Sequence, residues 1–182
     1  SFYCGGSVNV AGTTINCWNS GGHGTQNLKE AVGNSCNPTF IRLATETGIS
    51  KFYDYLDTFG ITGTTGIDFP AEGRAILQDE ESAGPVGVAT IGFGQGVAVT
   101  PIQLVTAISS LGNDGKLMKP HLVKEIKDAS GKTKVKIKPE VVRRTVSKET
   151  ADEMREIMEY VVAEGGGGTA AVKGYRVGGK TG

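Results

Sequence analysis

The chain has 182 residues, 38% of them apolar and 21% charged, and Lys+Arg equals Asp+Glu at 19 each. That length suits an ordinary domain with a real core, and the zero net charge removes the electrostatic case for a nucleic acid or a membrane surface as partner. No apolar run approaches the roughly 20 residues of a membrane helix, and no signal peptide stands out.

Residues 1–24 read as loop or short hairpin, dense in Gly, Thr and Asn. A helix is predicted over 26–34, with Leu28, Ala31 and Val32 on one face. The next helix has clear punctuation: Asn37 as cap, Pro38 at its first position, Phe40, Ile41 and Leu43 as apolar face, Gly48 as stop. Ser50 is expected to cap a further helix that ends before Gly60. Thr100-Pro101 repeats the cap-proline signal for a helix ending at Gly112. After Pro120 the period changes, and 122–127 and 133–138 predict a two-stranded hairpin with a lysine-rich wet face. Ser147 opens a helix to about Val162, with Glu149, Asp152 and Glu153 suited to its dipole. The class is mixed α/β.

Glycine is high, at 28 residues, and gathers at Gly5-Gly6, Gly21-Gly22, Gly92 to Gly96 and Gly165 to Gly168. Periodic segments separate these clusters, so they read as turns within one domain and not as linkers. The chain starts with Ser1 in place of Met and stops at Lys180-Thr181-Gly182 without a closing element. It is therefore expected to be a piece of a longer protein, with an anchor or signal upstream.

Two motifs compete for the C-terminal stretch. Gly174 to Thr181 matches G-x-x-x-x-G-K-[ST], but a phosphate loop needs a strand before it and a helix after it, and Tyr175, Arg176 and Val177 look like strand residues inside the supposed loop. Lys180-Thr181-Gly182 also matches K-T-G, which serine acyl-transferases acting on D-alanyl peptides combine with S-x-x-K and S-x-N. Ser35-Cys36-Asn37 supplies S-x-N in the expected order.

The runs GHGTQNLKEAVGNSCNPTF, IDFPAEGRAIL, TIGFGQGVAVTPIQLVTA, MKPHLV and VKGYRVGGKTG resemble the transpeptidase domain of class B penicillin-binding proteins, sporulation and division members included. The resemblance covers nearly everything from Tyr3 to Gly182. It implies a penicillin-binding-protein/β-lactamase-like fold, an antiparallel sheet with flanking helices plus a helical subdomain, here truncated at both ends. It also implies a peptidoglycan D,D-transpeptidase in which a serine attacks the penultimate D-alanyl carbonyl of a stem peptide. A neighbouring amino group then resolves the acyl-enzyme, and β-lactams imitate the D-Ala-D-Ala end. By the resemblance, Ser35 relays a proton, Asn37 binds the acyl-side amide, Lys180 supplies positive potential, and Thr181 holds the terminal carboxylate. Gly182 leaves the strand edge open to the extended substrate. The expected setting is a membrane-anchored cell-wall synthesis complex with the catalytic domain outside the cytoplasm, without nucleic acid.

The nucleophile is not among these residues. No serine has a lysine three positions on, so the chain by itself is expected to be inactive. The rival readings are a serine β-lactamase or β-lactam sensor, and a non-catalytic interaction module organised by zinc.

Cys4, Cys17, His23 and Cys36 give C-x12-C-x5-H-x12-C. Three thiolates and one imidazole make a closed tetrahedral zinc set, and some elongation-type penicillin-binding proteins resemble this pattern. Zinc here would be structural, because the acyl transfer needs no cofactor. A Cys4–Cys17 disulfide with a buried Cys36, or three free thiols, are the alternatives.

Overall fold

The computed structural model describes residues 1–182. It opens with strands β1 (Phe2–Cys4), β2 (Ser7–Val10), β3 (Thr13–Asn16) and β4 (Gly24–Gln26). Helices α1 (Leu28–Gly33), α2 (Asn37–Thr47) and α3 (Ile49–Thr58) follow. Next come strand β5 (Ile76–Leu77), helix α4 (Pro85–Gly92), strand β6 (Val97–Ala98) and helix α5 (Pro101–Gly112). Strands β7 (Lys116–Met118), β8 (Glu125–Lys127), β9 (Thr133–Lys136) and β10 (Val141–Arg144) lead into helix α6 (Lys148–Ala163), and a 3₁₀ turn at Gly168–Ala170 comes last. The sheets are all two-stranded; β1–β4, β2–β3, β7–β10 and β8–β9 are antiparallel. No helix is long and apolar enough to cross a membrane.

The residues group into two compact units, one of Ser1–Tyr53, Leu77–Val97 and Asp152–Gly182, the other of Asp54–Ile76 and Ala98–Ala151. In the first, Ile41 and Ala44 of α2 and Val88, Ala89 and Ile91 of α4 are buried. The two helices approach closely because Gly92 has no side chain: a Cβ there would sit 2.6 Å from the Ala44 Cβ, well inside contact distance. The Tyr53 hydroxyl donates to the Gln78 carbonyl at 2.6 Å, tying α3 to the stretch before α4.

In the second unit, Thr100 caps α5 as its cap-proline signal implies, and with Gln103 it forms a reciprocal capping box. Gln103 does more than cap. It is buried, and its Nε2 donates to the carbonyls of Ile61 at 3.1 Å and Gly63 at 2.6 Å, while Oε1 accepts from the Thr100 N–H at 2.9 Å. Replacing it strands these groups together. Gln103→Leu is expected to cost roughly 2–4 kcal/mol, at about 1–3 kcal/mol per unsatisfied buried group, read as a lower denaturant midpoint at unchanged slope.

The lysine-bearing hairpin forms as anticipated, with Ile126 opposite Val135. Asp128 makes its turn: Oδ1 accepts from the N–H groups of Ser130 and Lys132, both at 3.0 Å, and from the Ser130 hydroxyl at 2.6 Å. These bonds, the Ser130 hydroxyl first, hold the Asp128 carboxyl below its ordinary value.

Several helix boundaries differ from the sequence reading, each for a local reason. Gln26 belongs to β4, and Asn27 is the cap of α1, its side chain accepting the Glu30 N–H at 2.9 Å while Glu30 returns a bond to the Asn27 N–H at 2.8 Å. Asn37 is not a cap. Cys36 takes that position, Asn37 is the first helical residue, and the Asn37 side chain is used elsewhere. Ser50 lies inside the first turn of α3, where its hydroxyl donates to Glu80 at 2.5 Å. Residues 175–182 were expected to begin a strand, but no strand forms there.

Candidate active site

The site is built on the turn that joins α1 to α2. Ser35 has φ +49°, a left-handed conformation that costs a residue with a Cβ roughly 1–2 kcal/mol, so the surroundings must hold it. They do so on every side. The Ser35 N–H donates to the Val32 carbonyl at 3.1 Å and the Cys36 N–H to the Ala31 carbonyl at 3.0 Å. The indole N–H of Trp18 donates to the Asn34 carbonyl at 2.8 Å. The Asn34 amide reaches Gln26 at 3.1 Å, and Gln26 in turn reaches Thr39 at 3.3 Å.

The glycine run after α6 braces the same turn from behind. The Gly166 N–H donates to the Gly33 carbonyl at 3.3 Å. A Cβ on Gly33 would fall 2.9 Å from the Tyr160 ring, and one on Gly165 would fall 2.9 Å from the Val161 carbonyl and 3.0 Å from the Gly33 backbone. Both clashes of the second involve backbone, which cannot swing away. Gly165→Ala is therefore expected to destabilise by about 1–3 kcal/mol, seen as a lower midpoint in thermal or denaturant unfolding; an unchanged midpoint would mean the loop yields.

Lys180 arrives at this turn from 145 positions downstream: its Nζ donates to the Ser35 Oγ at 2.9 Å. It also donates to the Thr181 carbonyl at 2.7 Å and to the Thr181 hydroxyl at 3.2 Å. Burial pushes the Lys180 ammonium below its ordinary value. The arm carrying it lies along α6 in place of the anticipated strand ladder. The Gly179 N–H donates to the Met158 carbonyl at 3.1 Å, and the Arg176 guanidinium makes two bonds to Glu159 at 2.7 and 2.5 Å. That hydrogen-bonded guanidinium holds the Glu159 carboxyl below its ordinary value.

The structure thus brings Ser35, Lys180 and Thr181 into one hydrogen-bonded group. Asn37 sits beside it with its Nδ2 donating to the Asn16 carbonyl at 3.2 Å. Gly182 is exposed, and a Cβ there would meet nothing within 4 Å. An ammonium donating to a serine oxygen leaves the hydroxyl hydrogen free to be passed on, which suits a proton relay. The phosphate-loop alternative finds no support: residues 171–182 contain neither strand nor helix, and Lys180 is turned to Ser35.

Beside the turn lies the cysteine cluster. One ligand atom each from Cys4, Cys17, His23 and Cys36 lie within 4.8 Å of one another. Zinc–sulfur bonds of about 2.3 Å in a tetrahedron put sulfurs roughly 3.8 Å apart, so the set closes on a metal with small movements. All three cysteines are buried and free of disulfides, and the Cys17 Sγ is 3.6 Å from the His23 Nδ1. The His23 Nε2 is buried without a hydrogen-bond partner, which is costly for a polar atom unless something else engages it. Burial pushes the Cys4 thiol up, but the N–H groups of Gly6 and His23 and the side chains of His23 and Cys36 outweigh it and bring it to about 7. Burial dominates at Cys36 and raises it. The donor set, the convergence of its ligand atoms and the easily ionised Cys4 all fit zinc.

Sequence reasoning did not assign Trp18, Asn16, Gly33, Glu159 or Arg176. Trp18 carried the one available signal, as the single tryptophan set between cluster residues Cys17 and His23.

The model of the penicillin binding protein transpeptidase domain matches residues 2–182. Stage V sporulation protein D of Bacillus subtilis (strain 168) is 47% identical over 182 residues, all of this chain and 28% of that protein. The penicillin-binding protein PbpB of Mycolicibacterium smegmatis is 29% identical over 97% of this chain and 28% of its own length. The chain thus spans between a quarter and a third of these relatives. Among solved structures, the D,D-transpeptidase domain of a peptidoglycan glycosyltransferase from Eggerthella lenta superposes with TM-score 0.88 at 26% identity, covering 96% of this chain and 46% of that one. Penicillin binding protein 3 of Mycobacterium tuberculosis in complex with ampicillin gives TM-score 0.89 at 27% identity, covering 98% of this chain and 41% of that one. The α/β fold is that of these transpeptidase domains, helices with antiparallel strand pairs. With both triplets meeting in one site, the chain belongs to the penicillin-binding protein transpeptidase domain family.

Proposed function

We propose that this chain is the S-x-N to K-T-G portion of a peptidoglycan D,D-transpeptidase, both compact units belonging to one transpeptidase domain. The observation that carries the reading is the Lys180 Nζ to Ser35 Oγ bond of 2.9 Å. Chance occurrences of two short triplets have no reason to converge across 145 positions. In this reading a serine outside residues 1–182 attacks the D-alanyl carbonyl, and Ser35, polarised by Lys180, passes a proton to the departing nitrogen. Asn37 donates to the acyl-side amide with the amide hydrogen not given to Asn16. The Thr181 hydroxyl receives the terminal carboxylate under the positive potential of Lys180, and Gly182 keeps the edge clear for an extended peptide. β-Lactams enter the same site as mimics of the D-Ala-D-Ala end. The parent works outside the cytoplasm, held at the membrane within a wall-synthesis complex.

The test is intact-mass spectrometry of the full-length protein after penicillin. A single adduct on a serine, persisting for minutes to hours, is the expected result. Rapid loss of the adduct would favour a β-lactamase, and no adduct on folded protein would overturn the reading.

We infer that Cys4, Cys17, His23 and Cys36 hold a structural zinc. When bound, the metal supplies a cross-link between β1, the loop after β3 and the α1–α2 turn. Cys36 faces the cluster while Ser35 and Asn37 flank it, so the thiol fixes the direction of its neighbours. The gathering of ligand atoms from all four residues within 4.8 Å of one another supports this over a Cys4–Cys17 disulfide, which gives Cys36 and His23 no reason to converge on the same point.

A further inference from the structure

Three consecutive residues at the end of β3 and just beyond it run along the Ser-Cys-Asn triplet, each meeting a different part of its turn. The Asn16 carbonyl accepts from the Asn37 side chain at 3.2 Å. Cys17 shares the thiol cluster with Cys36. The Trp18 indole N–H donates to the Asn34 carbonyl at 2.8 Å, and this carbonyl belongs to the peptide bond that leads into Ser35. Asn16 and Cys17 secure the far side of the triplet; Trp18 alone of the three holds its near side.

We propose that Trp18 is a positioning residue for acylation: its indole N–H locks the left-handed Ser35 and so sets the Ser35–Lys180 pair. This rests on the transpeptidase reading given above. The peptide plane between Asn34 and Ser35 can rotate only if the Asn34 carbonyl lets go of the indole. Rotation there changes the Ser35 φ directly and swings Oγ away from the Lys180 ammonium. A left-handed non-glycine residue persists only where its surroundings over-determine it, and this bond is the one side-chain restraint on the plane itself. The ring is held in turn by an edge contact with His23, the centroids 5.1 Å apart at 61°, so its orientation is coupled to the cluster. Trp18 is nonetheless 67% exposed. A tryptophan kept so wet contributes little to a core, and its N–H is the part the fold uses.

Trp18→Phe keeps an aromatic ring at a mostly exposed position and removes the donor. It is examined in the full-length protein by two readouts. The first is hydrogen exchange of the amides in residues 33–37, which needs no catalysis. The second is penicillin acylation, resolved into the initial complex and the rate constant of the covalent step. Exchange is expected to rise roughly five- to tenfold, as loss of one such hydrogen bond allows. The covalent rate constant is expected to fall by a similar factor while the affinity of the initial complex stays within twofold. A residue that merely satisfied the end of α1 would leave that split unmoved. Wild-type exchange in Trp18→Phe overturns the proposal. Faster exchange with an unchanged covalent step also overturns it, since the turn would then be loosened without consequence. If wild-type protein takes no penicillin at all while exchange rises as stated, the transpeptidase reading fails and the clamp on Ser35 stands.

Discussion

Replacing Lys180 by Met is expected to slow penicillin acylation of the full-length protein by roughly 10²–10³-fold, the usual cost of removing one preorganised electrostatic group from a reaction centre. The size follows from what Nζ does. It donates to the Ser35 Oγ, the Thr181 carbonyl and the Thr181 hydroxyl, so the substitution removes the charge and releases both side chains it aims. Methionine nearly matches the length of lysine and fills the space without donating. The fold should survive, because the arm stays docked through the Gly179–Met158 bond and the Arg176–Glu159 pair. Lys180→Arg keeps the charge but spreads its donors in a planar fork, so it should recover part of the rate and not all of it. Stopped-flow acylation with a chromogenic cephalosporin checks the series. A Met variant within threefold of wild type would remove Lys180 from the chemistry.

The second large effect concerns the cluster. Chelating the proposed zinc, or replacing Cys36 by Ala, is expected to cost about 4 kcal/mol or more, because metal binding energy at a structural site is folding energy. For a chain of this size that corresponds to a melting point lower by roughly 8–16 °C. Metal analysis should return one zinc per chain, and denaturation with chelator but without reductant should expose three reactive thiols. One reactive thiol would reveal a disulfide. An unchanged melting point after verified chelation would refute the structural role. Chelation should also raise hydrogen exchange across residues 34–37, since Cys36 sits inside the triplet.

Much of this site could be read from the residues because chemistry constrains type and order. A serine two positions before an asparagine, and a lysine before threonine and glycine, retain their identity wherever the chain folds. The four cluster residues were visible for the same reason. What could not be read was which neighbours hold them. Asn37 preceded a proline and looked like a cap, but a cap is defined by backbone angles, and with Ser35 left-handed the cap falls on Cys36. The Lys180 arm alternated like a strand, but a strand exists only beside another strand, and α6 offered the Met158 carbonyl in its place. The hairpin at 125–136 was legible because its period and its turn residue Asp128 are local. The two compact units were not, because the chain passes between them several times with no shift in composition.

The separation of Ser35 from Lys180 has a consequence for biosynthesis. A ribosome adding 5–20 residues per second needs roughly 7–30 s to travel from one to the other. Throughout that interval the α1–α2 turn exists without its lysine, and every helix between them has time to form. The pairing is among the most distant in sequence that the chain makes, so it closes late on the folding path. In the proposed reading a nascent chain therefore carries no working pocket, and antibiotic captured by the site would report only on molecules whose synthesis has passed residue 180.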